Sequence, residues 1–366
     1  MSYTEKVYQI AFGQTPGITY PMADRWMTQF GTAKAVFQQD VATLTRVGKV
    51  KAEIVRTLKE ESTLTQSAKV LAAHTKAHIQ LITPWEATYP ERLKHIYKVP
   101  LTLYLKGSVN LNTPKIISVV GTRNATMYGK KVIETLLHDL RAYQPIIISG
   151  LAYGIDIHAH RTALTLGLST LAVVASGVDK IYPAEHKREA LALCKEGGIL
   201  SEHPLHTLPK PYRFVTRNRI IAGISDATIV VEAGEKSGAA ITARYANEYN
   251  REVFAVCGAI NAPYSVGCHH LIKTHQAHLM SAASDLIKGL NWESKPITKV
   301  EGSAMTSLNL TALEQKVLHI IGRDTIHMDT LSQAAQVPPH QLASLLLNLE
   351  LRNIVSSLPG NRFTCA

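Results

Sequence analysis

Residues 116–129 read IISVVGTRNATMYG: a five-residue strand-like run, a glycine turn, and a polar stretch that opens a helical pattern. The same unit returns along the chain. PIIIS (145–149), TLAVVA (170–175), ATIVV (227–231) and VFAVC (253–257) are each followed by a glycine-containing turn and a helical stretch. Apolar strands without alternation are expected where helices cover both faces of a sheet, so the spacing predicts a doubly wound α/β sheet.

Outward from this core the pattern changes on both sides. Towards the amino terminus, Val7 to Phe12, Met22 to Phe30 and Ala52 to Leu58 carry apolar residues at helical spacing, with glycine turns at Gly17, Gly31 and Gly48. A small all-α domain is predicted over 1–83. Pro84 and Pro90 then mark a connecting segment that wraps onto the sheet domain, taken as 84–292. Residues 293–306 are polar, with Pro, Gly and Ser, and read as a linker. In 307–366, three short helical patterns precede a hairpin around Pro359, Gly360 and Asn361, the order of elements in a winged helix.

The 366 residues hold 39 Lys plus Arg against 28 Asp plus Glu, a net charge of +11. The excess is local: residues 91–306 contain 25 basic and 17 acidic residues, whereas 307–366 contain four of each. A basic central domain attracts polyanions, nucleic acid first among them. No apolar run approaches the roughly 18 residues of a membrane span, and Met1 to Ile10 carries Glu5 and Lys6 with no secretory core, so a cytoplasmic location is expected. Cys194, Cys257, Cys268 and Cys365 are too scattered for a zinc site or a disulfide framework. His269, His270, His275 and His278 likewise lack a recognised metal spacing.

Three glycine-bearing turns follow strands and can offer helix amino termini to phosphate. They are Gly121–Thr126, in which Arg123 supplies a fork of donors and Thr126 a helix cap; Ser149–Asp156; and Ala233–Gly238. In open α/β sheets such loops converge at the carboxyl ends of the strands. Each glycine can also serve only its turn. Neither G-x-G-x-x-G nor G-x-x-x-x-G-K-[ST] is present, which disfavours a dinucleotide cofactor or a hydrolysed nucleoside triphosphate.

The stretch HTLPKPYRFVTRNR (206–219) combines Lys210, Arg213, Arg217 and Arg219 with Tyr212 and Phe214, and has no acidic residue. Cations that track a backbone beside rings that accept unstacked bases are the usual economy of single-strand binding. The alternative is a solvated basic loop with Phe214 anchored in the core. Asp156, two residues past Gly154, reads as a residue that caps or orients the helix starting there.

VVGTRNATMYG, ISGLAYGIDIHAHRTAL, VVASGVDKIYPAEH, FVTRNRIIAGISDATIVVEAGEKSGAAITARYA and REVFAVCGAI with SVGCHHLIK, in that order, resemble the DNA-processing protein A family, also called Smf. The resemblance implies an extended Rossmann-like domain that binds single-stranded DNA, homodimerises and loads the recombinase RecA during natural transformation. It implies no established catalytic activity and no cofactor. Position by position, it points to DNA contacts at Arg123, at Ser149, Gly150 and Gly154, at Phe214, Arg217, Asn218 and Arg219, and at Ser237 and Gly238; Lys210 joins them from the basic stretch itself. It also implies a sterile-alpha-motif or helix-hairpin-helix type of amino-terminal domain.

The sequence departs from the family pattern at Cys257, His269 and Ala239-Ala240. A competing enzyme reading takes Glu232 and Arg123 as the acid and the anion contact of a nucleoside-monophosphate hydrolase, but EAGEKSGAAIT lacks that group's Pro-Gly-Gly-x-Gly-Thr loop. A third reading is an adaptor that grips RecA and binds DNA only weakly. Arg46, Lys49, Lys51, Arg56 and Lys59 around Gly48 make a secondary DNA contact, with a solvated helix face as the alternative. The neutral winged helix, with the mostly apolar HQLASLLLNLELRN, is expected to contact protein or to serve structure.

Overall fold

The computed structural model describes residues 3–235, 237–292, 311–322, 326–352, 354–358 and 362–365. The expected linker (293–306), Lys236 and the predicted hairpin turn (359–361) lie outside these residues. The chain divides into two compact units, Met1–Ser294 and Lys295–Ala366.

Six helices open the first unit: α1 (Glu5–Gln14), α2 (Tyr20–Phe30), α3 (Ala33–Gln38), α4 (Val41–Gly48), α5 (Ala52–Leu58) and α6 (Glu61–Lys76). Phe12, Trp26, Val36, Leu44, Val55 and Leu58 form their buried core. Thr32 and Asp40 cap α3 and α4 by accepting from Ala35 N and Thr43 N. Trp26 Nε1 donates to Leu44 O at 2.9 Å, and Gly48 packs so closely on the indole that an added Cβ would stand 2.6–2.7 Å from its atoms. Gly48 is thus accounted for by the Trp26 contact. Lys59 is also engaged, its Nζ donating to Phe37 O and Gln39 O, while Arg46, Lys49, Lys51 and Arg56 are exposed.

The sheet follows, with β1 (Gln80–Ile82), β2 (Leu103–Gly107), β3 (Ile116–Val120), α7 (Met127–Leu140), β4 (Ile146–Ser149), α8 (Ile155–Thr165) and β5 (Thr170–Val173). It continues through α9 (Lys187–Glu196), β6 (Gly198–Ser201), α10 (Pro211–Ile224), β7 (Ala227–Val230), α11 (Gly238–Glu248), β8 (Glu252–Val256), α12 (Val266–Lys273), β9 (His278–Met280) and α13 (Ala283–Gly289). The nine strands run β1-β2-β6-β5-β4-β3-β7-β8-β9. Strands β6 to β9 in that order are parallel, while β1 and β2 add an antiparallel edge. The expected doubly wound sheet is therefore present. The sequence reading missed four of its strands, β1, β2, β6 and β9; β1 brings the start of the sheet to Gln80, ahead of residue 84.

Alternate residues explain the unbroken apolar runs. Ile116 and Val120 enter one core and Ile117 and Val119 the other; Ile146 and Ile148 divide from Ile147 in the same way. At the amino-terminal end of the strands, Arg92 grips Asp226 with Nε at 2.7 Å and Nη2 at 3.1 Å, and the same carboxylate accepts from Ile116 N at 2.8 Å. This ties the wrapping segment to β3 and β7.

The second unit holds α14 (Ala312–Ile321), β10 (Ile326–His327), α15 (Met328–Ala335), α16 (Pro339–Leu351), β11 (Val355–Leu358) and β12 (Arg362–Cys365), with strand order β10-β12-β11. That is the winged-helix order, with β10 unforeseen. Thr311 and Glu314 form a capping box at α14, and Arg352 Nη1 donates to Glu314 Oε1 at 2.9 Å. Leu342, Leu346 and Leu349 turn α16 into the unit's core.

Gly48→Ala drives a methyl into the Trp26 indole and is expected to cost about 1–3 kcal/mol. The measurement is the urea midpoint of the whole chain; an unchanged midpoint means that the indole contact does not hold the helical module together.

Candidate nucleic-acid interface

Strand order reverses between β3 and β7, so the loops leaving their carboxyl ends diverge and leave a crevice there. Its volume is about 480 Å³. The loop after β3, the loop before α8, one face of α10 and the amino terminus of α11 line it.

The loop after β3 takes its shape from Glu232. The Glu232 carboxylate accepts from Thr126 N at 3.0 Å and from Thr126 Oγ1 at 2.6 Å, while its main-chain oxygen accepts from Thr122 N at 2.7 Å. Thr126 Oγ1 in turn accepts from Gly129 N, so the predicted helix cap is present. Glu232 is 4% exposed, and the capping network engages both of its carboxylate oxygens. Arg123, by contrast, is exposed on the crevice rim.

The loop after β4 was expected to offer Ser149, Gly150 and Gly154 to phosphate, and the structure assigns them internal work. Ser149 is fully buried and its hydroxyl donates to Val119 O at 2.7 Å. Gly150 N donates to Asp156 Oδ2 at 3.1 Å, so this amide is turned inward. Gly154 has φ 77°, and an added Cβ would lie 2.2 Å from Thr122 O, so this glycine lets the two loops pack together. Asp156 does not cap its own helix. It reaches back to Gly150 N and Ala152 N, and burial pushes its carboxyl above the usual range against the pull of the Arg217 guanidinium.

The basic stretch proves to be the start of a helix, not a loop. Lys210 is the exposed N-cap residue of α10, and Pro211 occupies its first turn. Helical geometry then sorts the side chains. Pro211, Phe214, Asn218 and Ile221 fall on the face that lines the crevice.

Arg217 also lines the crevice but is 5% exposed, with Nη1 donating to Gly150 O at 2.8 Å and to Val173 O, and Nε donating to Asn218 Oδ1 at 3.2 Å. Burial lowers its pKa to about 10, so it remains a cation at neutral pH. Arg219, two residues further, faces the other side of α10 and pairs with Glu202. It is absent from the crevice lining, as is Lys210. Arg217 therefore braces the loop after β4 while still lining the crevice, whereas the expectation of a direct contact from Arg219 is corrected: it is buried in an ion pair on the other side of α10, because residues two apart on a helix point nearly opposite ways.

Around Phe214 the surface is open and aromatic. Tyr182, which the sequence reading quoted within a motif and assigned no role, sits 5.5 Å from the Phe214 ring at 60°, and the Arg123 guanidinium lies 6.0 Å above the same ring. Asn218 Nδ2 donates to Gly238 O at 3.2 Å and so ties α10 to the start of α11. Ser237 caps α11, accepting from Ala240 N at 3.3 Å; with Gly238 it turns the positive end of that helix into the crevice. The crevice thus combines an exposed cation, a helix amino terminus and two rings.

The histidine run forms no metal site: among the described residues no group of three or more His, Cys, Asp or Glu is placed to hold a metal ion. His269 Nε2 instead meets Gly258 O at 3.0 Å, and His278 meets Glu252.

Arg217→Ala leaves Asp156 buried without its cation and is expected to cost about 3 kcal/mol or more. Arg123→Ala should change stability by less than about 0.5 kcal/mol. Urea unfolding of the two variants side by side checks this; equal midpoints would remove the brace assigned to Arg217.

Comparison with known proteins extends the likeness beyond the crevice. Residues 80–291 match the family described as DNA recombination-mediator protein A, and residues 301–361 match the DprA winged helix domain. The DNA processing protein DprA of Bacillus subtilis is 41% identical over 215 residues, covering 58% of this chain and 72% of that protein. Protein Smf of Escherichia coli is 34% identical over 278 residues, or 74% of each chain.

Among solved structures, DNA processing protein A from Streptococcus pneumoniae aligns with a TM-score of 0.65 at 29% identity, covering 79% of this chain and 98% of that one. The Helicobacter pylori protein, described for its single-stranded DNA binding mode, aligns with a TM-score of 0.53 at 29% identity, covering 59% and 98%. On these grounds the chain belongs to the DNA recombination-mediator protein A family, the DprA/Smf proteins.

Proposed function

We propose that the crevice at the strand-order reversal binds single-stranded DNA. The observation that carries this reading is the Phe214–Tyr182–Arg123 cluster opposite the amino terminus of α11. An unstacked base lies against the Phe214 and Tyr182 rings, and the neighbouring phosphates meet Arg123 and the start of α11. Duplex DNA keeps its base faces stacked and cannot use the rings. The Helicobacter pylori relative, described by its single-stranded DNA binding mode, supports the same assignment.

The role that follows is mediation: a cytoplasmic homodimer that covers incoming strands and passes them to RecA during natural transformation. It is a binding role with no catalytic step and no cofactor. Glu232, the one acid invoked by the hydrolase alternative, is spent on capping α7. No helix among the described residues is long and apolar enough to cross a membrane.

The winged-helix unit acts through protein contacts or structure. Residues 307–366 hold four basic and four acidic residues, and Arg352 pairs with Glu314, so the unit carries no excess positive charge for a duplex backbone.

Fluorescence anisotropy with labelled oligo-dT and a matched duplex, over a series of salt concentrations, tests the proposal. Wild type is expected to prefer the single strand. Phe214→Ala should lose about 1–3 kcal/mol of affinity, and Arg123→Ala should lower the salt slope by about one. Normal binding by both variants would move the strand elsewhere, and weak binding by wild type without preference for the single strand would favour an adaptor that grips RecA with little DNA affinity of its own.

A further inference from the structure

A larger cavity, of about 910 Å³, lies on the opposite side of α10, where the amino-terminal helices meet the sheet domain. It shares no lining residue with the crevice. Its walls come from α2 and the turn before it, from the segment between Lys94 and Leu101, and from the buried pair Glu202–Arg219.

Two buried polar atoms at this cavity have no partner. Arg219 Nη1 is one: its Nη2 meets Glu202, but Nη1 finds no acceptor, and the residue is only 9% exposed. Thr102 Oγ1 is the other. A buried guanidinium nitrogen without an acceptor is costly, and a ligand oxygen is one way to relieve it.

The charge around the cavity is unbalanced in the same sense. Its two carboxylates are already engaged: Glu202 by Arg219, and Asp24 by Trp85 Nε1 at 3.2 Å and by the Tyr20 hydroxyl. Lys94 pairs with Glu91. Arg25 and Lys98 have no acidic partner within ion-pair distance among the described residues. Tyr97 stands 74% exposed beside them, with Lys98 Nζ 5.5 Å from its ring centroid, and Ile18, Ile96, Val99 and Leu101 complete an apolar wall. The volume falls in the range of roughly 300–1,000 Å³ that holds small organic ligands.

We propose that this cavity binds a nucleoside phosphate, with the phosphate among Arg25, Lys98 and Arg219 and the base against Tyr97 and the apolar wall. A bare anion leaves that wall unused, and an uncharged nucleoside leaves the cations unused. The same chemistry is carried by a free nucleotide and by the phosphorylated end of a strand. The inference stands apart from the crevice reading, since the two sites use different residues.

The test uses the full chain with four probes: thymidine monophosphate, thymidine, inorganic phosphate and a 5′-phosphorylated dT tetramer. Calorimetry reads affinity, and amide hydrogen exchange reads location. The expected result is saturable binding of the monophosphate or the tetramer, stronger than that of thymidine or phosphate, with protection at residues 17–25 and 94–102.

Lys98→Glu, an exposed substitution, should weaken that binding by about fivefold or more. Phe214→Ala should leave it in place, which separates it from the crevice. Binding of the monophosphate assigns the site to free nucleotides, and binding of the tetramer alone assigns it to strand ends. Absence of saturable binding at millimolar probe, protection confined to residues 121–126 and 211–221, equal binding of inorganic phosphate, or an unaffected Lys98→Glu variant would each overturn the proposal.

Discussion

The peptide groups around Gly150 are held from both sides. Its N–H points to the Asp156 carboxylate, its carbonyl to the Arg217 guanidinium, and Arg217 reaches on to the Val173 carbonyl at the end of the neighbouring strand. These groups are buried, so each bond forms where water competes little and where an unpaired partner would be expensive. The grip sets the height of the loop after β4, and through Gly154 that loop packs on the loop after β3. Arg123 is presented at the rim because both loops beneath it are tied down.

The helix that supplies Arg217 does a second task on its other face. From Phe214 to Arg219 the chain turns through about one and a half helical turns, enough to send Phe214 and Asn218 into the crevice and Arg219 into the seam with the amino-terminal helices. A stretch that is uniformly basic in sequence is thereby divided into a ring for a base, a brace for a loop and a buried ion pair. Positive charge is only partly offered to a polyanion: Arg219 is spent in a buried ion pair and Arg217 braces a loop while lining the crevice, whereas Arg123 remains exposed. The exposed cation at the crevice stands beside two rings and one helix amino terminus.

The amino-terminal helices are joined to the sheet by direct packing as well as by the chain. Ile10 enters the same core as Leu81, Tyr104 and Ile199, and His74 stacks on Tyr104 at 4.5 Å while accepting from Leu205 N. Burial disfavours the charged form of this imidazole and lowers its pKa, in keeping with its acceptor role. The seam formed in this way is what encloses the larger cavity.

The order of apolar runs and glycine turns by itself determined the doubly wound sheet and the three loops at its carboxyl edge, because strand and helix periodicities are local properties of the chain. It also led to Arg123, Phe214, Ser237 and Gly238, which do line one crevice. Strands β1, β2, β6 and β9 escaped it because none is followed by the glycine turn and helix that marked the others. The roles of Ser149, Gly150, Gly154, Arg217 and Arg219 escaped it for a different reason. Whether a donor meets a ligand or an acceptor from elsewhere in the fold depends on distant partners, such as the Val173 carbonyl, 44 residues from Arg217, and the Glu202 carboxylate, 17 residues from Arg219. Only the tertiary structure, by bringing those partners within bonding distance, decided which polar groups were left to face outward.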